Sequence, residues 1–229
     1  CGDNTSSDKG FKFQDAMLYS IFKNTVFFLG IFLLSMCRAQ THEKPLMGVE
    51  QTSVYLPLLG TQNIALVTNQ TGVFTNSSSQ THMVDSLVSL GVNLKKIFAP
   101  EHGFRGKADA GEHVINGLDV STGLPIISLY GSNKKPTNKQ LEGIDLLIFD
   151  IQDVGVRFYT YISTLTYVME AAAEKEIPVI VLDRPNPNGH YVDGPILKPE
   201  FKSFVGMHPV PVVYGLTIGE YGFMVNEEG

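Results

Sequence analysis

Three carboxylates in this chain stand at the ends of apolar runs and have the chemistry to cleave a glycosidic bond. They are Glu101, in Pro100-Glu101-His102-Gly103, and the pair Asp150 and Asp153, in Asp150-Ile151-Gln152-Asp153. Glycoside hydrolysis takes one protonated acid at the leaving oxygen and a second carboxylate, about 5 Å away for retention and roughly 6.5 to 9.5 Å for inversion. Glu101 and the Asp150/Asp153 pair meet that need if neighbouring strand ends bring them face to face. Plainer readings stand beside this one: Glu101 as a turn or helix cap, and Asp153 as an ion-pair partner of Arg157 that shapes the loop. Tyr159 and Tyr161 suit a sugar-stacking wall, although aromatics that open a helix more often pack into a core.

The elements that must position these groups form an alternating pattern. Leu146 to Phe149 is an unbroken apolar run, as expected of a strand buried on both faces, and it changes at once into the polar turn Asp150 to Arg157. Helical spacing follows, with Ile162, Leu165, Val168 and Met169 on one side and then Ala171-Ala172-Ala173. Asn63 to Val67, Leu94 to Ala99, Ile126 to Leu129 and Ile177 to Leu182 read as further strands. A helix over Met83 to Leu90 is stopped by Gly91, and Pro136-Thr137 opens a short helix closed by Gly143. The pattern predicts an α/β fold, a Rossmann-like parallel sheet flanked by helices. If the strands are parallel, one edge carries Asn69 and Gln70, Glu101 and His102, Tyr130, Asp150 to Arg157 with Gln152, and Asp183, Arg184 and Asn186. Open α/β sheets bind ligands at that edge.

Composition excludes several classes. A formal charge of -6 with no basic cluster argues against nucleic acid. No Gly-x-Gly-x-x-Gly follows the first strand, no Gly-Lys-Ser phosphate loop is present, and no Gly-x-Ser-x-Gly elbow is present. Glu101, His102, His113, Asp150, Asp153, Asp183 and His190 are adequate metal ligands chemically but form no ligand motif, so no metal or other cofactor is expected, and a metal-assisted hydrolase is the weaker alternative.

The ends of the chain differ from the middle. Residues 17–39 carry Lys23, the apolar run Val26 to Leu34 and small residues at Cys37 and Ala39, the pattern of a cleaved secretory signal peptide, which predicts a secreted or periplasmic protein. Lipidation at Cys37 ranks below cleavage because Met36 precedes it. Residues 1–16 are an upstream segment of unclear origin, 40–60 a polar linker, 61–215 the Rossmann-like domain, and 216–229 the start of a C-terminal region that looks cut short. Thr217 and Glu220 have capping-box spacing, so a helix should begin there. The irregular stretch from Phe104 to Gly123 is long enough to serve as a lid.

Five ordered blocks carry a resemblance: Thr68-Asn69-Gln70-Thr71-Gly72, Pro100 to Gly106, Ser128-Leu129-Tyr130-Gly131 with Lys135-Pro136-Thr137, Asp150 to Tyr161, and Leu182 to Pro187. From about residue 60 onward the chain resembles the exo-β-N-acetylmuramidases of the NamZ type. The resemblance implies a hydrolase releasing N-acetylmuramic acid from the non-reducing end of peptidoglycan fragments, with a cleft between a Rossmann-like domain and a smaller C-terminal one. It implies Glu101 as the catalytic acid and places Asp150, Asp153, Arg157 and His102 in the cleft. Arg157 is suited to pair with the lactyl carboxylate of muramic acid, since guanidinium and carboxylate match in bidentate geometry. A non-catalytic periplasmic binding domain for cell-wall sugars has the same fold and the same polar edge, and stays as the alternative.

Overall fold

Alternation along the central strands decides the architecture. In β1 (Ile64–Thr68), Ile64 and Leu66 point to one side and Ala65 and Val67 to the other, and all four are fully buried. β4 (Leu94–Ala99) and β7 (Leu146–Asp150) flank β1 as parallel partners, and β6 (Pro125–Ser128) and β8 (Val179–Val181) extend the sheet outward, also in parallel. The strand order is β5-β6-β4-β1-β7-β8, where β5 (Gly117–Leu118) alone runs antiparallel to its neighbour. The computed structural model describes residues 22–27, 45–76, 79–105 and 116–228.

Helices cover both faces. Ile64, Leu66, Ile97 and Ile148 pack with Tyr55 and Leu59 of α1 (Thr52–Leu59) and Met83, Val84 and Leu87 of α2 (Met83–Ser89). Ala65, Val67, Phe98 and Phe149 pack on the other side with Ile162, Leu165 and Val168 of α3 (Tyr161–Ala173) and Ile218 and Tyr221 of α4 (Ile218–Glu228). Each face removes large aliphatic and aromatic groups from water, worth about 1.5–3 kcal/mol per fully buried side chain. The result is the Rossmann-like α/β sandwich that the apolar runs require. A small antiparallel ribbon, β2 (Val73–Asn76) with β3 (Ser79–His82), leads from β1 into α2.

Several local expectations change. The stretch read as a polar linker contains a 3-10 turn at Gly48–Glu50 and α1, with Val49, Tyr55 and Leu59 buried; Pro57 within α1 hides the helical pattern. Residues 138–143 form turns rather than a helix: the Thr137 and Gln140 side chains bond each other's amides as at a helix start, but Gly143 at φ 70 ends the segment after little more than one turn. α2 buries Met83, Val84 and Leu87 but leaves Val88 exposed and ends before Leu90. The irregular stretch after Phe104 contains strand β5, while its residues 106–115, including His113, lie outside the described residues. So do residues 1–16 and most of the stretch 17–39, of which 22–27 are helical. The Thr217 capping box is present: the Thr217 amide donates to Glu220 Oε2 at 2.8 Å and the Glu220 amide to Thr217 Oγ1 at 3.2 Å.

Candidate active site

Because β6, β4, β1, β7 and β8 are parallel, their carboxyl ends share one edge, and the polar turns gather there. The chain leaves β1 through α2 on one face and leaves β7 through α3 on the other. The crevice between β1 and β7 is therefore the switch point of the sheet, where such folds bind ligands. Asn69 and Gln70 follow β1 on one side of it, and Ile151 to Asp153 follow β7 on the other. Asn69 Nδ2, Gln70 Oε1 and Asp153 Oδ1 are buried there without hydrogen-bond partners, three polar atoms with capacity to spare.

Glu101 sits in the turn directly after β4, half-buried, next to His102. His102 adopts φ 72, a left-handed conformation rare for a residue with a Cβ, which bends the chain sharply just behind the carboxylate. Glu101 Oε2 accepts a hydrogen bond from Thr160 Oγ1 at 3.2 Å. Tyr130, after β6, flanks the same carboxylate, whose charge raises the phenol above its ordinary value. Burial raises Tyr161 likewise, with the charges near it, Glu101 among them, adding to the effect. Both phenols thus keep their protons and stay donors at neutral pH. Tyr159 stands edge-on to Tyr161 at 5.3 Å; Tyr161 is buried, so the exposed aromatic surface here belongs to Phe158 and Tyr159.

The two aspartates are placed differently. Asp150 is fully buried and its Oδ1 accepts from Arg184 Nε at 2.7 Å; Arg184 is 4% exposed and also donates from Nη1 to the Val73 carbonyl at 3.2 Å. Burial pushes the Asp150 carboxyl up, and the Arg184 guanidinium pulls it back down. Gly72 packs over this pair so closely that a Cβ would run into Thr68 Oγ1. Asp153 is 5% exposed; its Oδ2 accepts from the Gly155 amide at 2.7 Å and from the Tyr214 hydroxyl. Burial raises the Asp153 carboxyl, and the Tyr214 hydrogen bond opposes that. Asp153 is held by Tyr214 and Gly155, where the loop-shaping reading had Arg157 as its partner.

The remaining residues frame the edge. Gln152 Nε2 donates to the Asp153 and Pro185 carbonyls, both at 2.8 Å. Arg157 Nη1 donates to the Pro195 and Val210 carbonyls at 2.7 and 2.6 Å, tying the long extended segment to the turn after β7. Asp183 accepts from Thr217 Oγ1 at 2.6 Å and from the Gly219 amide at 2.8 Å, which caps α4. Asn186 Nδ2 donates to the Leu216 carbonyl at 2.7 Å and its Oδ1 accepts from the Asn188 amide. Asp183, Arg184 and Asn186 line a cavity of about 480 Å³ beside β8 that Glu101 does not reach. Among the described residues no three of His, Cys, Asp and Glu converge as a metal would need.

Three functional neighbours escape a reading by motif. Thr160 precedes α3 and is the hydroxyl on Glu101. His82, buried before α2, accepts from the Val84 amide at Nδ1 and so donates from Nε2 to the Asn69 carbonyl, at 2.9 Å. Arg105 forks onto Asp119 and Asp85, with its shortest contacts to each at 2.8 Å, and holds Asp119 down to about 2. That fork joins the two ends of the stretch spanning 106–115. A hydroxyl just before a helix and a polar residue closing a strand are the only signals the sequence offers for the first two.

Comparison with known proteins bears on the chain as a whole. The family model for exo-β-N-acetylmuramidase NamZ, N-terminal, matches residues 64–229. A curated relative, peptidoglycan β-N-acetylmuramidase NamZ of Bacillus subtilis (strain 168), is 48% identical over 197 residues, covering 82% of this chain and 46% of the relative. Crystal structures of two DUF1343 family proteins from Bacteroides fragilis are similar, one with TM-score 0.71 and 45% identity over 81% of this chain, the other with 0.72 and 42% over 80%. They are matched over 48% and 46% of their own lengths, so this chain spans about half the length of the proteins it resembles.

Proposed function

The chain belongs to the exo-β-N-acetylmuramidase NamZ family, and from that premise we propose that it carries the catalytic acid of an exo-acting glycosidase. The reaction is release of N-acetylmuramic acid from the non-reducing end of peptidoglycan fragments. The observation that carries the reading is Glu101: it alone of the three candidate carboxylates opens to solvent at the carboxyl edge, held by a hydrogen bond from Thr160 and flanked by the Tyr130 hydroxyl. A general acid must reach the leaving oxygen directly, within about 2.6–3.2 Å. Asp150 cannot do so while sealed under Arg184, and its part is to set the turn after β7. Asp153 supports the floor of the crevice through Tyr214, with Oδ1 as its free oxygen. Asn69, Gln70, His102, Tyr130 and Tyr159 bound the sugar site. Arg157, anchored through Nη1, presents the rest of its guanidinium to the lactyl carboxylate. Residues 17–39 direct export to where peptidoglycan lies, and the further length found in the relatives supplies the second wall of the cleft.

The test is release of free N-acetylmuramic acid from a β-linked muramic acid-glucosamine disaccharide. It is run on this chain and on a version extended through the length its relatives have. Release by the extended form, and a 10²- to 10⁴-fold loss in Glu101→Gln, on the order of what general acid catalysis contributes, is the expected result. Disaccharide retained but never cleaved by either form would put a non-catalytic binding domain in its place. Arg157→Ala should weaken lactyl-bearing substrates more than those without the group; equal weakening of both would remove Arg157 from that role.

A further inference from the structure

Thr160 occupies the residue before the first turn of α3, where a threonine hydroxyl ordinarily bonds the amide two or three residues on. Here it makes no such bond: Thr160 sits at φ -81 and ψ 1, outside the extended conformation a capping side chain needs, and its hydroxyl points away from the helix. The main chain of Thr160 still serves the helix, because its carbonyl accepts from the Thr164 amide at 2.9 Å and from Thr164 Oγ1 at 3.1 Å. The hydroxyl has instead crossed the switch point to Glu101, a residue 59 positions earlier, and bonds Oε2 at 3.2 Å. A helix that gives up its side-chain cap loses stability for nothing unless the hydroxyl is used elsewhere.

Resting on the reading of Glu101 as the acid, we propose that Thr160 is a positioning residue for the reaction: by holding Oε2 it turns the other oxygen, Oε1, toward the substrate. A hydroxyl donating to Oε2 leaves the acidic proton to reside on Oε1, so the same contact selects both the orientation of the carboxyl group and the oxygen that delivers the proton. Tyr130 also hydrogen-bonds the carboxylate, from the β6 side, and Thr160 is the hydroxyl that holds it from the α3 side.

The test is a set of three variants in the form extended to the relatives' length, assayed by N-acetylmuramic acid release. Thr160→Val keeps the shape and removes the donor; kcat should fall roughly 10- to 100-fold, as for small misplacements of a catalytic group. KM should stay within about twofold, since only the transition state loses an interaction. Thr160→Ser restores the donor and should recover most of kcat. Because the hydroxyl does not cap α3, the melting temperature of Thr160→Val should match the parent. A Thr160→Val enzyme with parental kcat beside a dead Glu101→Gln overturns this inference and leaves the catalytic reading standing. Full turnover in Glu101→Gln overturns both. A kcat loss that tracks a fall in melting temperature, unrelieved by serine, makes Thr160 a structural residue and overturns the inference as well.

Discussion

Two parts of one sheet edge use the same kinds of residue to opposite ends. Beyond β7 and β8, each carboxylate has at least one oxygen engaged by the protein itself: Asp150 Oδ1 by Arg184, Asp153 Oδ2 by Tyr214 and Gly155, Asp183 by Thr217 and Gly219, while Asp150 Oδ2 and Asp153 Oδ1 stay without partners among the described residues. Beyond β4, Glu101 is touched, among the described residues, only by neutral hydroxyls, Thr160 at 3.2 Å and Tyr130, and has a face toward solvent. A buried carboxylate without partners costs several kcal/mol, so Asp150 and Asp153 must each be anchored through one oxygen if the turn after β7 is to keep its shape. An exposed one can leave valences for a substrate. The difference teaches that acids at a strand edge divide by their partners rather than by their position.

Variants should separate the two halves by readout. Glu101→Gln removes turnover and leaves the unfolding midpoint in place, whereas Arg184→Met strands the Asp150 charge in the interior. The latter should cost about 3–5 kcal/mol in denaturant unfolding; a loss under 1 kcal/mol would mean that Asp150 is not charged when buried. Tyr214→Phe leaves Asp153 with backbone amides alone and should cost about 1–3 kcal/mol, read in the same way.

A smaller effect comes from His82, whose ring burial holds below its ordinary 6.5. A lowered folded value means that the unfolded chain takes up the proton first. The His82 contribution is therefore present in full above pH 6.5 and is lost as pH falls below it. Unfolding midpoints between pH 7.5 and pH 5.5 should fall in the parent, and the slope should flatten in His82→Gln. Lys135, which bridges Glu170 and Glu174 at 3.1 and 2.7 Å on the surface, gives the lower bound. Lys135→Ala should change stability by under about 1 kcal/mol, because exposed pairs are screened by water and salt.

The sheet and its polar edge are legible in the sequence because both rest on local patterns. Ile64 to Val67 and Leu146 to Phe149 are apolar on every residue, which only a strand covered on both faces tolerates. The Thr217 and Glu220 cap is likewise written within four residues. What decides the site is not local: Asp150 finds Arg184 at 34 positions' distance, Glu101 finds Thr160 at 59, and Asp153 finds Tyr214 at 61. No spacing rule links such pairs, so the sequence shows which residues reach the edge without showing which of them spend their charge there. α1 is hidden for a different reason, a proline inside a helix of eight residues.

Asp183 also bears on how the chain comes off the ribosome. Its carbonyl accepts from the Gly48 amide at 2.7 Å while its carboxylate takes the Thr217 hydroxyl and the Gly219 amide. One residue thus ties together segments separated by most of the domain. Strands β1, β4 and β7 can pair as soon as they emerge, but the turn after β8 stays unlatched until residue 219 has left the exit tunnel. Until that moment the Gly48 amide is tied to a turn that lacks its second hold, and a nascent chain stalled before Thr217 should be more open to proteases around Gly48 than the longer chain.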